Sequence, residues 1–229
     1  MSLTGLAVIH ISHERDDWSH TRNLHVENYL AAARVPASLP EQTFGLWTIK
    51  RVTVTDAIQA FSLGYRSYTL LHRVSMKTLH LGPPGEVVME DSRSELKRHL
   101  PIWMAAKGRV LISGLGLGCV VRGLLIKPEV THIDVVEMDP DIMRICGAEF
   151  VGNPRVTLHL GDALTYPWPD DVTWDFASHD CWTDDERLQL LHGKLFHRFL
   201  NRVPRQHAWG FPREIMKLFK RGPNRHHFL

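Results

Sequence analysis

Three carboxylates close short apolar runs in the second half of this chain: Glu137 after residues 132–136, Asp162 after 156–160, and Asp180 after the run that starts at Trp174. A fourth run, Val110-Leu111-Ile112, leads instead into glycines at 114, 116 and 118. Glycines in such a place let the chain turn sharply off a strand and bring backbone N–H groups near a ligand. Three at alternate positions exceed what a tight turn needs. Glu137 lies about twenty residues beyond them, the separation at which an acid holds a ribose diol in nucleotide-binding α/β folds. A carboxylate can accept both hydroxyl protons, which an amide or a lysine cannot. Asp162, in Leu160-Gly161-Asp162-Ala163, is placed to accept from an adenine amino group, although a Gly-Asp pair by itself is a common turn. The three strand ends together make the walls of one nucleotide pocket.

These groups need elements to carry them. From Arg109 onward strand and helix alternate: short apolar runs at 110–112, 132–136, 156–160 and 174–177, an amphipathic helix at 185–203, a fifth strand at 208–211 and a short helix from Arg213. Such alternation specifies a parallel sheet with helices on both faces, and its ligands bind at the carboxyl ends of the strands where the order reverses. Before this core, residues 21–34 read as a helix ended by Pro36, and 44–54, 67–74 and 86–89 as strands. Ser92 and Glu95 have capping-box spacing for a helix whose apolar stripe is Leu96, Leu100, Trp103 and Met104, with a kink or break at Pro101. The chain divides into an N-terminal α+β extension, 1–90, and a nucleotide-binding domain, 91–229.

A dinucleotide loop would read G-x-G-x-x-G, but Cys119 stands where its last glycine belongs. The spacing 114, 116, 118 instead resembles the class I S-adenosylmethionine-dependent methyltransferases. The resemblance runs on through residues 135–140 (Val-Val-Glu-Met-Asp-Pro) and 160–163, and covers roughly 90–211. It implies a Rossmann-like core with S-adenosylmethionine as cofactor. Gly114, Leu115, Gly116 and Gly118 would form the donor loop. Glu137 and Met138 would lie at the ribose and Asp162 and Ala163 at the adenine, with His179 stacking near the cofactor or acting as a base. Two branches are similar in layout. Spermidine synthases have an acid five residues after a Phe/Tyr-Asp pair on strand four, matched here by Asp175 and Asp180. Guanidinoacetate methyltransferases have a Val-Met-Glu element before the first helix, matched by Val88-Met89-Glu90. That implies Glu90 and Asp180 as the catalytic pair, bracketing a cationic amine or guanidine, aligning it and accepting its proton.

The chain departs from both branches. Ile112 occupies the position of an acid two residues before the first glycine, and Leu117 that of an aspartate between glycines. Residues 179–184 match neither branch, and the sheet is expected to be short of the usual terminal hairpin or to replace it with N-terminal strands. The expected activity is methyl transfer to a small amine or guanidine. Aminopropyl transfer from the decarboxylated donor and non-catalytic nucleotide binding are the alternatives.

Composition narrows the field. Hydrophobic residues make up 44% and charged residues 23%, with a net charge of +2, too even to argue for nucleic acid. The basic run from Lys217 to His227 reads as a solvated tail. Three cysteines, 119, 146 and 181, form no C-x-x-C pair, so neither a metal knuckle nor a disulfide framework is indicated, and Cys181 reads as a small buried thiol. Trp168, Trp174, Trp182 and Trp209 read as core or pocket wall. No leader or membrane span is apparent, so the expected setting is cytoplasmic, with a small-molecule substrate, no nucleic-acid partner, and a homodimer left open.

Overall fold

The computed structural model describes residues 18–58, 60, 67–75, 78–82, 84–181 and 190–208. Among these, β1 (Gln42–Phe44), β2 (Trp47–Thr53), β3 (Ser67–Arg73) and β4 (Glu86–Glu90) form an antiparallel meander in sequence order. Alternation on β2 aims Trp47 and Ile49 inward, and Ile49 pairs with the buried Leu71 of β3.

The second sheet contains β5 (Gly108–Ser113), β6 (Val130–Glu137), β7 (Val156–Leu160), β8 (Phe176–His179) and β9 (Gln206–Ala208). All neighbouring pairs are parallel, in the order β7-β6-β5-β8-β9. This is the Rossmann-like α/β arrangement expected from the alternation. Apolar runs are continuous here because both faces are covered: Val110 and Ile112 enter one apolar cluster, Leu111 between them the other. The order reverses between β5 and β8, so the carboxyl ends of those two strands flank the crevice where ligands of such sheets lie.

Among the described residues the sheets are accompanied by α1 (Trp18–Ala33), α2 (Arg93–Arg98), α3 (Leu100–Ala105), α4 (Cys119–Leu125), α5 (Pro140–Ile145) and α6 (Leu190–Phe199). Ser92 caps α2 by accepting the Glu95 N–H at 3.2 Å. The expected break falls at His99, and Pro101 sits in the first turn of α3, where its missing N–H costs nothing. That break resets the helical phase and turns Met104 out to solvent, 82% exposed, so Met104 is not part of the stripe. Trp103 does pack inward. Its indole donates to the Val120 carbonyl at 3.1 Å and lies so close to Gly123 that a Cβ there would fall 2.2 Å from the ring. β8 begins two residues later than Trp174, β9 begins at Gln206, two residues before the expected start (the rest of 208–211 lies outside the described residues), and the strand expected over 44–54 is split by a turn between β1 and β2. Residues 182–189 and 209–229, with Trp182, Trp209 and the basic run, lie outside the described residues.

The change of architecture near residue 90 is not a change of core. Leu30, Ile49 and Leu71 belong to the same apolar cluster as Val110, Ile112 and Ile133. Asp91, fully buried at this junction, accepts the backbone N–H groups of Val35 (2.9 Å) and Thr69 (2.5 Å) and pairs with Arg34 at 3.5 Å. It fastens the end of α1 and the meander to the start of α2.

Candidate active site at the strand ends

The loop after β5 is built around its glycines. Gly114 (φ 92°) turns the chain where a Cβ would lie 2.0 Å from the Asp180 carbonyl, so β5 and β8 can end side by side only with glycine there. At Gly116 a Cβ would lie 2.6 Å from the Met89 sulfur. Most of the loop's N–H groups have acceptors within the protein. Gly114 donates to the Val136 carbonyl (2.9 Å), Leu115 to Glu137 Oε2 (2.8 Å), Leu117 to Met89 Sδ (3.2 Å) and Gly118 to the Leu115 carbonyl (2.9 Å). At these four positions the amides are engaged within the protein.

Glu137 closes β6 almost fully buried, 8% exposed. Burial pushes its carboxyl above the usual range, against the pull of N–H groups from Leu115 and Asp139. Oε1 accepts the Asp139 N–H at 2.9 Å and Oε2 the Leu115 N–H at 2.8 Å, and the Met138 N–H adds a further backbone donor to the carboxylate. Beside this fixed carboxylate, Met138 is 64% exposed, and Leu160, which pairs with Glu137 from β7, is 55% exposed. They form an open apolar ledge next to the exposed Asp162, whose Oδ1 accepts the Leu164 N–H at 2.8 Å. Ala163 is buried in the apolar cluster that contains Leu111 and Val136.

Asp180 follows β8 and is half-buried, its N–H donating to the Ser113 carbonyl at 2.8 Å. The next residue reports on the whole site. Burial, and then the carboxylates of Asp180, Glu137 and Asp162, push the Cys181 thiol up to about 12. Three acids from three strand ends thus act on one sulfur, which stays protonated and is no nucleophile at neutral pH. Glu90, at the end of β4, accepts the Ser92 hydroxyl at the start of α2. It is Met89, one residue earlier, that reaches the glycine loop.

His179 is fully buried and stacks on Phe199, ring centroids 5.5 Å apart. Its Nε2 faces Gln206 Oε1 at 3.1 Å, which can only accept, so Nε2 carries the proton. Nδ1 then accepts the Ser113 hydroxyl at 2.9 Å. Both ring nitrogens of His179, the histidine expected near the cofactor, are engaged within the core, where it ties β5, β8 and β9 together. Ser113, Gln206, Met89 and Asp139 were not legible as site residues, although Asp139-Pro140 is a recognisable helix start. Asp139 caps α5 through the N–H groups of Asp141 and Ile142.

No family model matches the chain. It is similar to the ribosomal RNA small subunit methyltransferase A of Pseudomonas syringae, 40% identical over 58 residues, which are 25% of this chain and 21% of that protein. It is also similar to the polyamine aminopropyltransferase of Prochlorococcus marinus, 29% identical over 105 residues, 42% of this chain and 37% of that protein. The chain thus spans well under half the length of the curated relatives it matches. Among solved structures it is similar to the 23S rRNA methyltransferase ErmE (18% identity, 47% of this chain and 42% of that one, TM-score 0.38). Another is the amino pentose methyltransferase CalS10 of Micromonospora echinaspora with S-adenosylmethionine bound (16%, 52% and 50%, TM-score 0.35).

Proposed function

We propose that this chain is a class I S-adenosylmethionine-dependent methyltransferase whose donor lies across the carboxyl ends of β5, β6 and β7. The observation that carries the reading is the Glu137 carboxylate at the end of β6, buried and held on both oxygens by backbone N–H groups, beside the exposed Met138 and Leu160. The residues fit the nucleoside half of the donor: Glu137 for the ribose hydroxyls, Met138 and Leu160 for the adenine face, Asp162 for its amino group. When bound, the donor supplies an electrophilic methyl group on a sulfonium.

The acceptor is read as a small amine or guanidine. Glu137, Asp162 and Asp180 make the site negative, which attracts a cation and repels a phosphate backbone. Asp180 would bind the protonated acceptor at the end of β8, orient its nitrogen and take the proton that must leave before nitrogen attacks. Glu90 is the proposed second acid. The relatives support different acceptors, one being named for ribosomal RNA and the other for polyamines. The second keeps aminopropyl transfer as an alternative on the same pocket.

Calorimetry with S-adenosylmethionine, S-adenosylhomocysteine, the decarboxylated donor and NAD tests the reading. Binding of the first two with NAD silent, and at least a ten-fold loss in Glu137→Ala, is expected. Preference for the decarboxylated donor would move the assignment to aminopropyl transfer, and silence from all four would refute the pocket.

A further inference from the structure

Met89 stands against the glycine loop at the point where a donor's amino-acid end would be gripped. Its sulfur accepts the Leu117 N–H at 3.2 Å and occupies the space that a side chain at Gly116 would fill. β4 holds it there through its pairing with Leu71, and its side chain packs on the core. The other loop amides at 114, 115 and 118 are likewise engaged by Val136, Glu137 and Leu115. A loop that binds a carboxylate does so with outward N–H groups, and here four of five are already used. The side chains of Ile112 and Leu117 are apolar and buried. The acids that act on the site, Glu137, Asp162 and Asp180, would repel a carboxylate.

We infer that Met89 is a specificity-determining residue that makes the loop end of the pocket neutral and apolar, so that the site reads its ligand as a 5′-thioadenosine and not by the charged amino-acid head. The inference rests on the donor-pocket reading above and narrows it. Recognition lies in the nucleoside half, at Glu137 and the Met138 ledge. Beyond the nucleoside half the ligand would meet the apolar Met89 side chain, which orders neither an ammonium nor a carboxylate.

The test compares S-adenosylhomocysteine with 5′-methylthioadenosine, identical up to the sulfur, by calorimetry on the full chain. The two Kd values are expected within ten-fold of each other. Met89→Ala frees the Leu117 N–H and opens the space above Gly116, and should shift the ratio at least five-fold toward S-adenosylhomocysteine. Met89→Leu keeps the bulk above Gly116 but also frees the Leu117 N–H, folds with little disturbance, and should shift the ratio less than Met89→Ala does. S-adenosylhomocysteine binding more than ten-fold tighter to wild type would overturn the inference while leaving the donor pocket standing. An unchanged ratio in Met89→Ala would remove Met89 from the role. Binding of neither thioadenosine would refute the pocket itself and the inference with it. Wild type alone decides the main point if Met89→Ala fails to fold.

Discussion

Trp47, in the antiparallel meander, donates its indole N–H to Asp139 Oδ2 at 2.8 Å, across the junction between the two sheets. Asp139 in turn donates its backbone N–H to Glu137 Oε1 and caps α5 with Oδ1. The extension therefore helps hold the carboxylate proposed for the ribose. Trp47→Phe keeps most of the apolar packing and removes the donor. A stability loss of about 2 kcal/mol, the scale of a hydrogen bond to a charged group, is expected in denaturant titration. Affinity for S-adenosylhomocysteine should fall several-fold with it. A loss of stability with unchanged affinity would make the contact a fastening only.

Gly114 and Gly152 both have positive φ, but only Gly114 faces an obstacle, the Asp180 carbonyl; around Gly152 nothing lies within 4 Å. Gly152→Ala should cost about 1 kcal/mol, the left-handed penalty alone. Gly114→Ala should cost clearly more and abolish donor binding, because the ends of β5 and β8 must part. Equal melting temperatures for the two variants would contradict this placement.

Asp134 is buried in mid-β6 and accepts from Arg109 Nε (2.7 Å), Trp174 Nε1 (2.8 Å) and His159 Nε2 (3.0 Å). Burial alone would raise its carboxyl, but the hydrogen bonds from His159, Arg109 and Trp174 outweigh it and hold the group well below the usual carboxylate range. A folded-state pKa lowered in this way adds stability above the unfolded carboxyl's pKa, and that stability is lost as pH falls toward the folded one. Asp134→Asn should cost about 3 kcal/mol at pH 7, toward the low end for a broken buried pair because Arg109 is partly exposed. The variant should also lose less stability on acidification than wild type. Parallel curves of stability against pH would show that Asp134 is not the group responsible.

His179→Phe preserves the aromatic packing but leaves the Ser113 hydroxyl and the Gln206 carbonyl buried without their ring partner. A destabilisation on the order of 2 kcal/mol is expected. A variant of native stability that cannot bind donor would instead return His179 to the ligand's surface.

Much of the scaffold was legible because it is written in local signals. The runs at 110–112 and 132–136 are continuous, as strands buried on both faces must be, and Ser92 and the break before Pro101 follow from backbone hydrogen bonding alone. Met104 and the edges of β8 and β9 were misplaced because helical phase and strand ends depend on what each residue packs against. The site was legible in part. Glycine spacing and strand-end acids mark the strand ends where the proposed pocket lies, but Asp134 looked like any polar residue in a strand, and nothing about Trp47 or Met89 marks a partner far along the chain.

By itself the sequence determined the parallel sheet, the glycine turn and which strand ends carry acids, since glycine conformation, apolar periodicity and caps act over a few residues. Tertiary structure alone decided what each polar group faces. It gave the Leu117 N–H to Met89, the Asp139 carboxylate to Trp47, and both nitrogens of His179 to Ser113 and Gln206. A buried donor or acceptor must be satisfied by whichever group folding brings within about 3 Å, and that group can come from any part of the chain.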